Sequence, residues 1–331
     1  MIISRTPLRI SFAGGGTDLP AFYLEEPGAV VSTAIDKYIY INVNEKFDHR
    51  IRASYSVTEM VDSPDELQHE LIREALGLTG IEGGIEITSI SDIPSSGTGL
   101  GSSSSYSVGL LNALYAYLGK RVGAARLGAE ACKIEIELCG KPIGKQDQYI
   151  AAFGGLQYIQ FNPDGTVFAD PIICNRATRR ALEDSLVLLY TGLTRSADNI
   201  LMEQSRNTAN EADKRKALRQ MKGQADSLRQ ALESDNLAAF GEILHEGWML
   251  KRTLASGISS AQIDHWYETA RKNGAIGGKL LGAGGGGFLL FCAEPGRHAD
   301  IIKALPELRP VDIELEPQGS KIVYVEEHLK P

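Results

Sequence analysis

Apolar and polar residues alternate at Leu8-Arg9-Ile10-Ser11-Phe12, the pattern of a strand with one face buried. Ile39 to Val43 is rich in β-branched and aromatic residues, and Ile85-Glu86-Ile87-Thr88 alternates again, so the first third reads as short strands. Between them, Asp65 to Leu76 has apolar residues at helical spacing, with Pro64 near its start. Beyond Ser102 the spacing predicts helices over Tyr106–Leu118 and Ala124–Leu138, the second stopped by Gly140 and Pro142. Leu156–Phe161 and Val167–Ala169 predict a hairpin around Asn162-Pro163-Asp164-Gly165. The Arg-rich helix Arg176–Asp184 leads into an apolar strand, Leu186–Tyr190. Long helices then follow over Asp198–Glu233, Leu237–Leu254 and Ser260–Asn273. A strand (Phe288–Cys292), a helix (Arg297–Leu305) and a last strand (Ile322–Val325) complete the reading. Strands and helices mix without regular βα alternation, which favours α+β layers over a doubly wound sheet. We place a boundary near residue 180, giving an N-terminal domain over 1–180 and a C-terminal domain over 181–331.

Composition narrows the function. The 331 residues carry 34 Lys plus Arg against 42 Asp plus Glu, a net charge of -8; without a basic tract this disfavours nucleic acid as the main partner. Four cysteines form no CxxC pair, so a disulfide framework or structural metal is not expected. The longest uncharged apolar stretch, Leu280–Ala293, is short for a membrane span and holds five glycines. Arg5 and Arg9 interrupt the N-terminal apolar residues, so no secretory signal is read. A cytoplasmic protein is the expectation.

The 35 glycines are unusually many, and they cluster. Pro94-Ser95-Ser96-Gly97-Thr98-Gly99-Leu100-Gly101-Ser102-Ser103-Ser104 follows a strand and enters an apolar helix. Glycines let successive N–H groups turn toward an anion, and the helix start adds its own unpaired N–H groups. A nucleoside triphosphate held by backbone is the chemistry implied, although a Gly/Ser loop with a serine cap has the same composition. No Gly-Lys pair in the chain is followed by Ser or Thr, so this is not a Walker A loop. A second cluster, Ala13-Gly14-Gly15-Gly16-Thr17-Asp18, places an acid after a glycine turn, where it suits sugar hydroxyls or a simple cap. The third, Gly282-Ala283-Gly284-Gly285-Gly286-Gly287, has GxGxxG spacing but lies between a predicted helix and a strand, the wrong order for a dinucleotide fingerprint. Asp147, within Gly144-Lys145-Gln146-Asp147-Gln148-Tyr149, is a general base or a plain loop acid.

Together these segments resemble the GHMP kinase superfamily, with Pro7-x-Arg9 and Gly14–Asp18, Pro94–Ser104, and Leu281–Gly287 in order along nearly the whole chain. The resemblance implies an α+β GHMP kinase fold: an N-terminal ribosomal-protein-S5-like ATP-binding domain and a C-terminal ferredoxin-like α/β sandwich domain. It also implies ATP and Mg2+ as cofactors. Within the family the sequence is most similar to kinases of heptose 7-phosphate that phosphorylate the anomeric C1 hydroxyl, on the way to a GDP-activated heptose for surface polysaccharide. Roles carry over by position. Ser96, Gly97, Thr98, Gly99, Leu100, Gly101, Ser102, Ser103 and Ser104 would wrap the ATP phosphates. Ser103 and Glu135 would hold the metal, with Glu137 open as the alternative carboxylate. Asp147 would take or stabilise the hydroxyl proton, and Arg9 would be the cation beside it. Gly14, Gly15, Gly16, Thr17 and Asp18 would meet the sugar, and Gly285, Gly286 and Gly287 would close over the reacting groups.

Galactokinases carry Glu-His where this chain has Gly15-Gly16, and losing that carboxylate favours a larger, anionic sugar. Arg195 and Lys279, then Lys145 and Lys251, are the candidates for the substrate phosphate, although each is equally a surface charge by composition. Other expectations are a kinase of unphosphorylated fucose, mannose or galactose, a dinucleotide-binding oxidoreductase, and a non-catalytic sensor. The helices after Asp198 are the candidate face of a homodimer.

Overall fold

The computed structural model describes residues 1–94, 97–194 and 196–326. Its first sheet contains β1 (Ile2–Ala13), β2 (Gly28–Glu45), β3 (Ile51–Ser54), β4 (Thr58–Val61), β5 (Ile85–Ser91), β6 (Leu156–Phe161) and β7 (Val167–Pro171). The second contains β8 (Leu186–Tyr190), β9 (Ala275–Leu280), β10 (Phe288–Ala293) and β11 (Arg309–Pro310), in the order β11-β8-β10-β9. The last strand, β12 (Lys321–Val325), returns to the first sheet and pairs antiparallel with β1. By sheet membership it therefore belongs with the N-terminal half. Two α+β layers are present, as the resemblance implies.

In β1 the alternation decides which side chains reach the site. Leu8, Ile10 and Phe12 are buried in the core. Arg9 and Ser11 take the opposite face, since successive side chains of a strand point to opposite sides. β2 is long enough to change partners along its free edge: Gly28–Thr33 pair with β6, and Ile39–Glu45 pair with β5.

The helices of the first half are α1 (Pro20–Tyr23), α2 (Glu70–Thr79), α3 (Ser102–Tyr117), α4 (Ala124–Cys132), α5 (Gln146–Phe153) and α6 (Arg176–Asp184). The second half adds α7 (Asp198–Asn210), α8 (Ala212–Glu233), α9 (Phe240–Lys251), α10 (Ala261–Lys272) and α11 (His298–Ala304). β10 is buried on both faces: Phe288, Leu290 and Cys292 join the main core, while Leu289, Phe291 and Ala293 join a second core with Trp248 and Tyr267. Phe12 of β1 meets Phe240 of α9 edge to face, with ring centroids 5.2 Å apart.

Three readings are corrected. The helix expected over Asp198–Glu233 is two helices, because Glu211 leaves the helical region (φ -119°, ψ 114°). The helix expected over Ala124–Leu138 becomes a π-helix at Lys133–Leu138, a local form found often at functional sites. A strand, β9, precedes the third glycine cluster, which is therefore a turn between paired strands. No helix among the described residues is long and apolar enough to cross a membrane.

Candidate active site

A cavity of about 340 Å³ lies where the two sheets meet, with Arg9, Gly15, Gly99, Glu135, Asp147 and Lys251 among its lining residues. One wall is the segment Gly97–Ser104. Gly97, Gly99 and Gly101 all have positive φ (69°, 77° and 75°), so the backbone turns in a way that side chains would resist. Gly101 is the N-cap of α3, and a Cβ there would stand 3.1 Å from Arg9 Cγ and 3.3 Å from Asp147 Oδ2. Ser102, Ser103 and Ser104 form the first turn of that helix, which carries no acidic residue. A helix start leaves unpaired N–H groups that suit an anion, and Gly101 to Ser104 line the cavity. Leu100 is buried, and its carbonyl accepts from Arg9 N at 3.1 Å, tying the loop to β1. Ser96 lies outside the described residues.

Arg9 and Asp147 form a two-pronged ion pair, Nε to Oδ1 at 2.7 Å and Nη2 to Oδ2 at 2.6 Å. Arg9 Nη1 also donates to the Gly99 carbonyl at 2.5 Å, so one guanidinium joins β1, the glycine loop and α5. Burial and charge-assisted bonding together make such a pair rigid. Asp18 accepts from Gly16 N at 2.9 Å and Gln146 N at 3.4 Å. Burial, helped by the charge of Asp147, pushes its carboxyl above the usual range.

Glu135 is fully buried; Ser103 Oγ donates to it at 2.5 Å and Gln148 Nε2 at 2.6 Å. Burial pushes its carboxyl up to about 7, against the pull of those two hydrogen bonds. No Lys, Arg or His among the described residues pairs with it, and a buried carboxylate of that kind suits a cation. One carboxylate and one hydroxyl are hard oxygen donors of the kind that suits Mg2+. Glu137, the alternative, is exposed and away from the cavity.

Several expected sugar-binding residues support the site without lining it. Gly14 packs on the Ala29 carbonyl, and the Thr17 hydroxyl is taken up by Gly14 and Ala29. Gly285, Gly286 and Gly287 are also off the cavity wall. Gly285 N donates to Ile258 O, Gly287 N to Leu193 O, and Cβ atoms at 286 and 287 would strike Leu193 and Thr98. The segment reaches the site through Gly282, which touches Gly99. Gly285–Gly287 thus stand behind the loop Gly97–Ser104, packed on Thr98, Leu193 and Ile258.

Of the cationic candidates, Arg195 lies outside the described residues. Lys145 is turned away, donating to Gly165 O and standing over the Tyr23 ring. Lys279 lines the cavity, donating to Ser11 O at 2.8 Å and Phe12 O at 3.1 Å. Lys251, at the end of α9, lines it too and donates to Gly282 O. Neither lysine has a carboxylate partner within ion-pair distance among the described residues. Burial, with Arg9 nearby, brings Lys251 down to about 8, and Lys279 is lowered by burial and by the charges of Lys251 and Arg9. Sequence reasoning missed Gln204 of α7 and Ser11; only Ser11 had a signal, since it shares the polar face of β1 with Arg9.

Residues 67–155 match the GHMP kinases N terminal domain, and residues 228–308 match the GHMP kinases C terminal domain. The chain is similar to D-glycero-alpha-D-manno-heptose 7-phosphate kinase of Campylobacter jejuni, 30% identical and covering 92% of this chain and 93% of that protein. It is 27% identical to L-fucokinase/L-fucose-1-P guanylyltransferase of Bacteroides fragilis, over 97% of this chain and 38% of that larger protein. The solved structure of a D-glycero-D-manno-heptose 1-phosphate kinase from Bacteroides thetaiotaomicron superposes with a TM-score of 0.81 at 26% identity, covering 99% of this chain and all (100%) of that one.

Proposed function

Because this chain belongs to the GHMP kinase family, we propose that it transfers the γ-phosphoryl group of ATP to the anomeric C1 hydroxyl of D-glycero-D-manno-heptose 7-phosphate. The product is the 1,7-bisphosphate, a precursor of a GDP-activated heptose for surface polysaccharide, made in the cytoplasm. The observation that carries the anionic substrate is the pair Lys251 and Lys279, both buried in the cavity wall and both without a carboxylate. Buried cations left unpaired are costly in the empty protein, and a phosphate on the sugar supplies the missing charge. The heptose phosphate kinases of Campylobacter and Bacteroides support the same reading.

The residues divide the work. Backbone N–H groups from Gly97 to Ser104 hold the triphosphate, with Ser96 in the undescribed part of the same loop. Ser103 and Glu135 would hold Mg2+, whose charge would offset that of the phosphates. Asp147 accepts the C1 hydroxyl proton, or holds it in a hydrogen bond, as the sugar oxygen bonds to the γ-phosphorus and the bond to the bridging oxygen breaks, releasing ADP. Arg9 orients Asp147 and faces the charge that develops on the transferred group. Phosphoryl transfer needs mainly this kind of positioning and charge stabilisation. Asp18 receives a sugar hydroxyl. We keep the division 1–180 and 181–331 as the domain assignment, with β12 exchanged onto the first sheet.

The test is an ADP-release screen over heptose 7-phosphate, mannose, mannose 6-phosphate, fucose and galactose, followed by NMR to locate the new phosphate. Heptose 7-phosphate is expected to be turned over best, with phosphate on C1. Preference for free fucose or mannose would overturn the substrate and leave the kinase assignment standing.

A further inference from the structure

Around the Gly15–Gly16 turn, three neutral side chains from distant parts of the chain converge, and two of them have polar atoms left over. Ser11 is buried at 6% exposure, and its Oγ has no hydrogen-bond partner. Gln146 Oε1 is likewise buried and unpartnered. Gln204, of α7, is 2% exposed, and no bond to its side-chain amide is present among the described residues. All three line the cavity. They also surround the space that side chains at 15 and 16 would fill. A Cβ at Gly15 would stand 3.7 Å from Ser11 Oγ and 3.8 Å from Gln146 Nε2, and one at Gly16 would collide with Gln204 Nε2. Gly16 has φ 99°, so the bare turn is held by its backbone conformation as well as by this crowding.

Buried polar groups are almost always satisfied, and an exception needs an explanation. Two exceptions beside one turn, Ser11 Oγ and Gln146 Oε1, with the Gln204 amide next to them, all facing a cavity, have a common one. We infer that Ser11, Gln146 and Gln204 form a hydroxyl-reading subsite that recognises ring hydroxyls of the sugar, with Gln204 standing where a side chain at position 16 would otherwise reach. The chemistry selects a hydroxyl over a phosphate. Each amide needs both a donor and an acceptor, which an alcohol supplies, whereas a phosphate dianion only accepts and is repelled by an amide oxygen. The sugar is thereby oriented with hydroxyls over Gly15–Gly16 and its phosphate at the lysines, and Gln204 makes α7 part of substrate selection.

This inference rests on the sugar-kinase reading but not on which sugar is used. The test is made with Ser11→Ala and Gln204→Leu in the full chain, using whichever sugar of the screen the wild type turns over. Removing an unsatisfied buried hydroxyl or amide does not harm a ligand-free fold, so the melting temperature without ligand should hold or rise. KM for the sugar should rise about tenfold, the worth of one hydrogen bond, with KM for ATP unchanged. Monodeoxy analogues give the sharper readout: one deoxy position that wild type rejects should be tolerated by Gln204→Leu. A fall in ligand-free melting temperature with sugar KM unchanged would show a structural role and overturn the inference, as would unchanged discrimination among deoxy sugars. Turnover of mannose but not heptose 7-phosphate would overturn the substrate assignment alone, and turnover of no sugar would remove both.

Discussion

The two ends of the cavity are built by different means. The end proposed for the nucleotide is backbone: consecutive residues from Gly97 to Ser104 form a loop and helix start whose conformation follows from glycines at fixed places. The sugar end is side chains drawn from β1, α5, α7, α9 and β9, brought together only by packing of the two halves. A contiguous loop can be kept while substrates diverge, because a triphosphate looks the same to every kinase of this kind. A ring of side chains from separate elements can be retuned one residue at a time. Under the proposed function, recognition of ATP and recognition of the sugar are therefore separable, joined at Arg9 and Asp147.

The largest expected effect is at that joint. Asp147→Asn should lower kcat at least about 100-fold, the usual scale of general-base help, while calorimetry shows a non-hydrolysable ATP analogue still binding within a few-fold of wild type. Near-normal turnover would remove Asp147 from the mechanism. Gly101→Ala tests the backbone end. Its Cβ enters an αL position and crowds Arg9 and Asp147, so ATP-analogue affinity should drop about tenfold and the melting temperature should fall, since L-residues are disfavoured there by roughly 1–2 kcal/mol. Equal ATP affinity in the folded variant would contradict the cradle.

Lys251→Met should raise KM for a sugar phosphate about tenfold, the order of one charge-assisted hydrogen bond, and leave a neutral sugar unaffected. It also carries a pH signature. The folded protein holds Lys251 at about 8 against an ordinary 10.5, so between those values the unfolded chain binds the extra proton and stability from this group rises with pH. The penalty is fully present below about 8. Lys251→Met should thus be more stable than wild type at pH 7 without ligand, and the difference should shrink as pH rises from about 8 to 10.5. A difference that grows over that interval would contradict the assignment. A change of the same order, about tenfold in sugar KM for Ser11→Ala or Gln204→Leu, separates hydroxyl reading from charge reading.

The same contrast explains what was legible in the sequence. The alternation of Leu8 to Phe12 placed Arg9 away from the core, and the run from Gly97 into an apolar helix marked the phosphate loop, because both signals are local. Gln204 was not legible, and Lys251 was legible only as one candidate cation among four, since they lie on separate helices and meet Gly16 and Gly282 only through tertiary packing. β9 escaped because Gly277 and Gly278 weaken strand propensity. Both glycines are required there: a Cβ at 277 would strike Gly241 O on α9, and one at 278 would strike Leu290 O and Phe291 on β10. The break at Glu211 carries no glycine or proline to announce it. Glu135 was read on a regular helix, whereas the π-helical turn is what accompanies its placement against Ser103.

The most direct test is a crystal structure with a non-hydrolysable ATP analogue and heptose 7-phosphate bound together. The triphosphate is expected on Gly97–Ser104, its terminal phosphorus within about 3–3.5 Å of the sugar C1 oxygen, and that oxygen against Asp147. A triphosphate seated elsewhere, or a C1 oxygen remote from Asp147 with the sugar turned away from Gly15–Gly16, would contradict it.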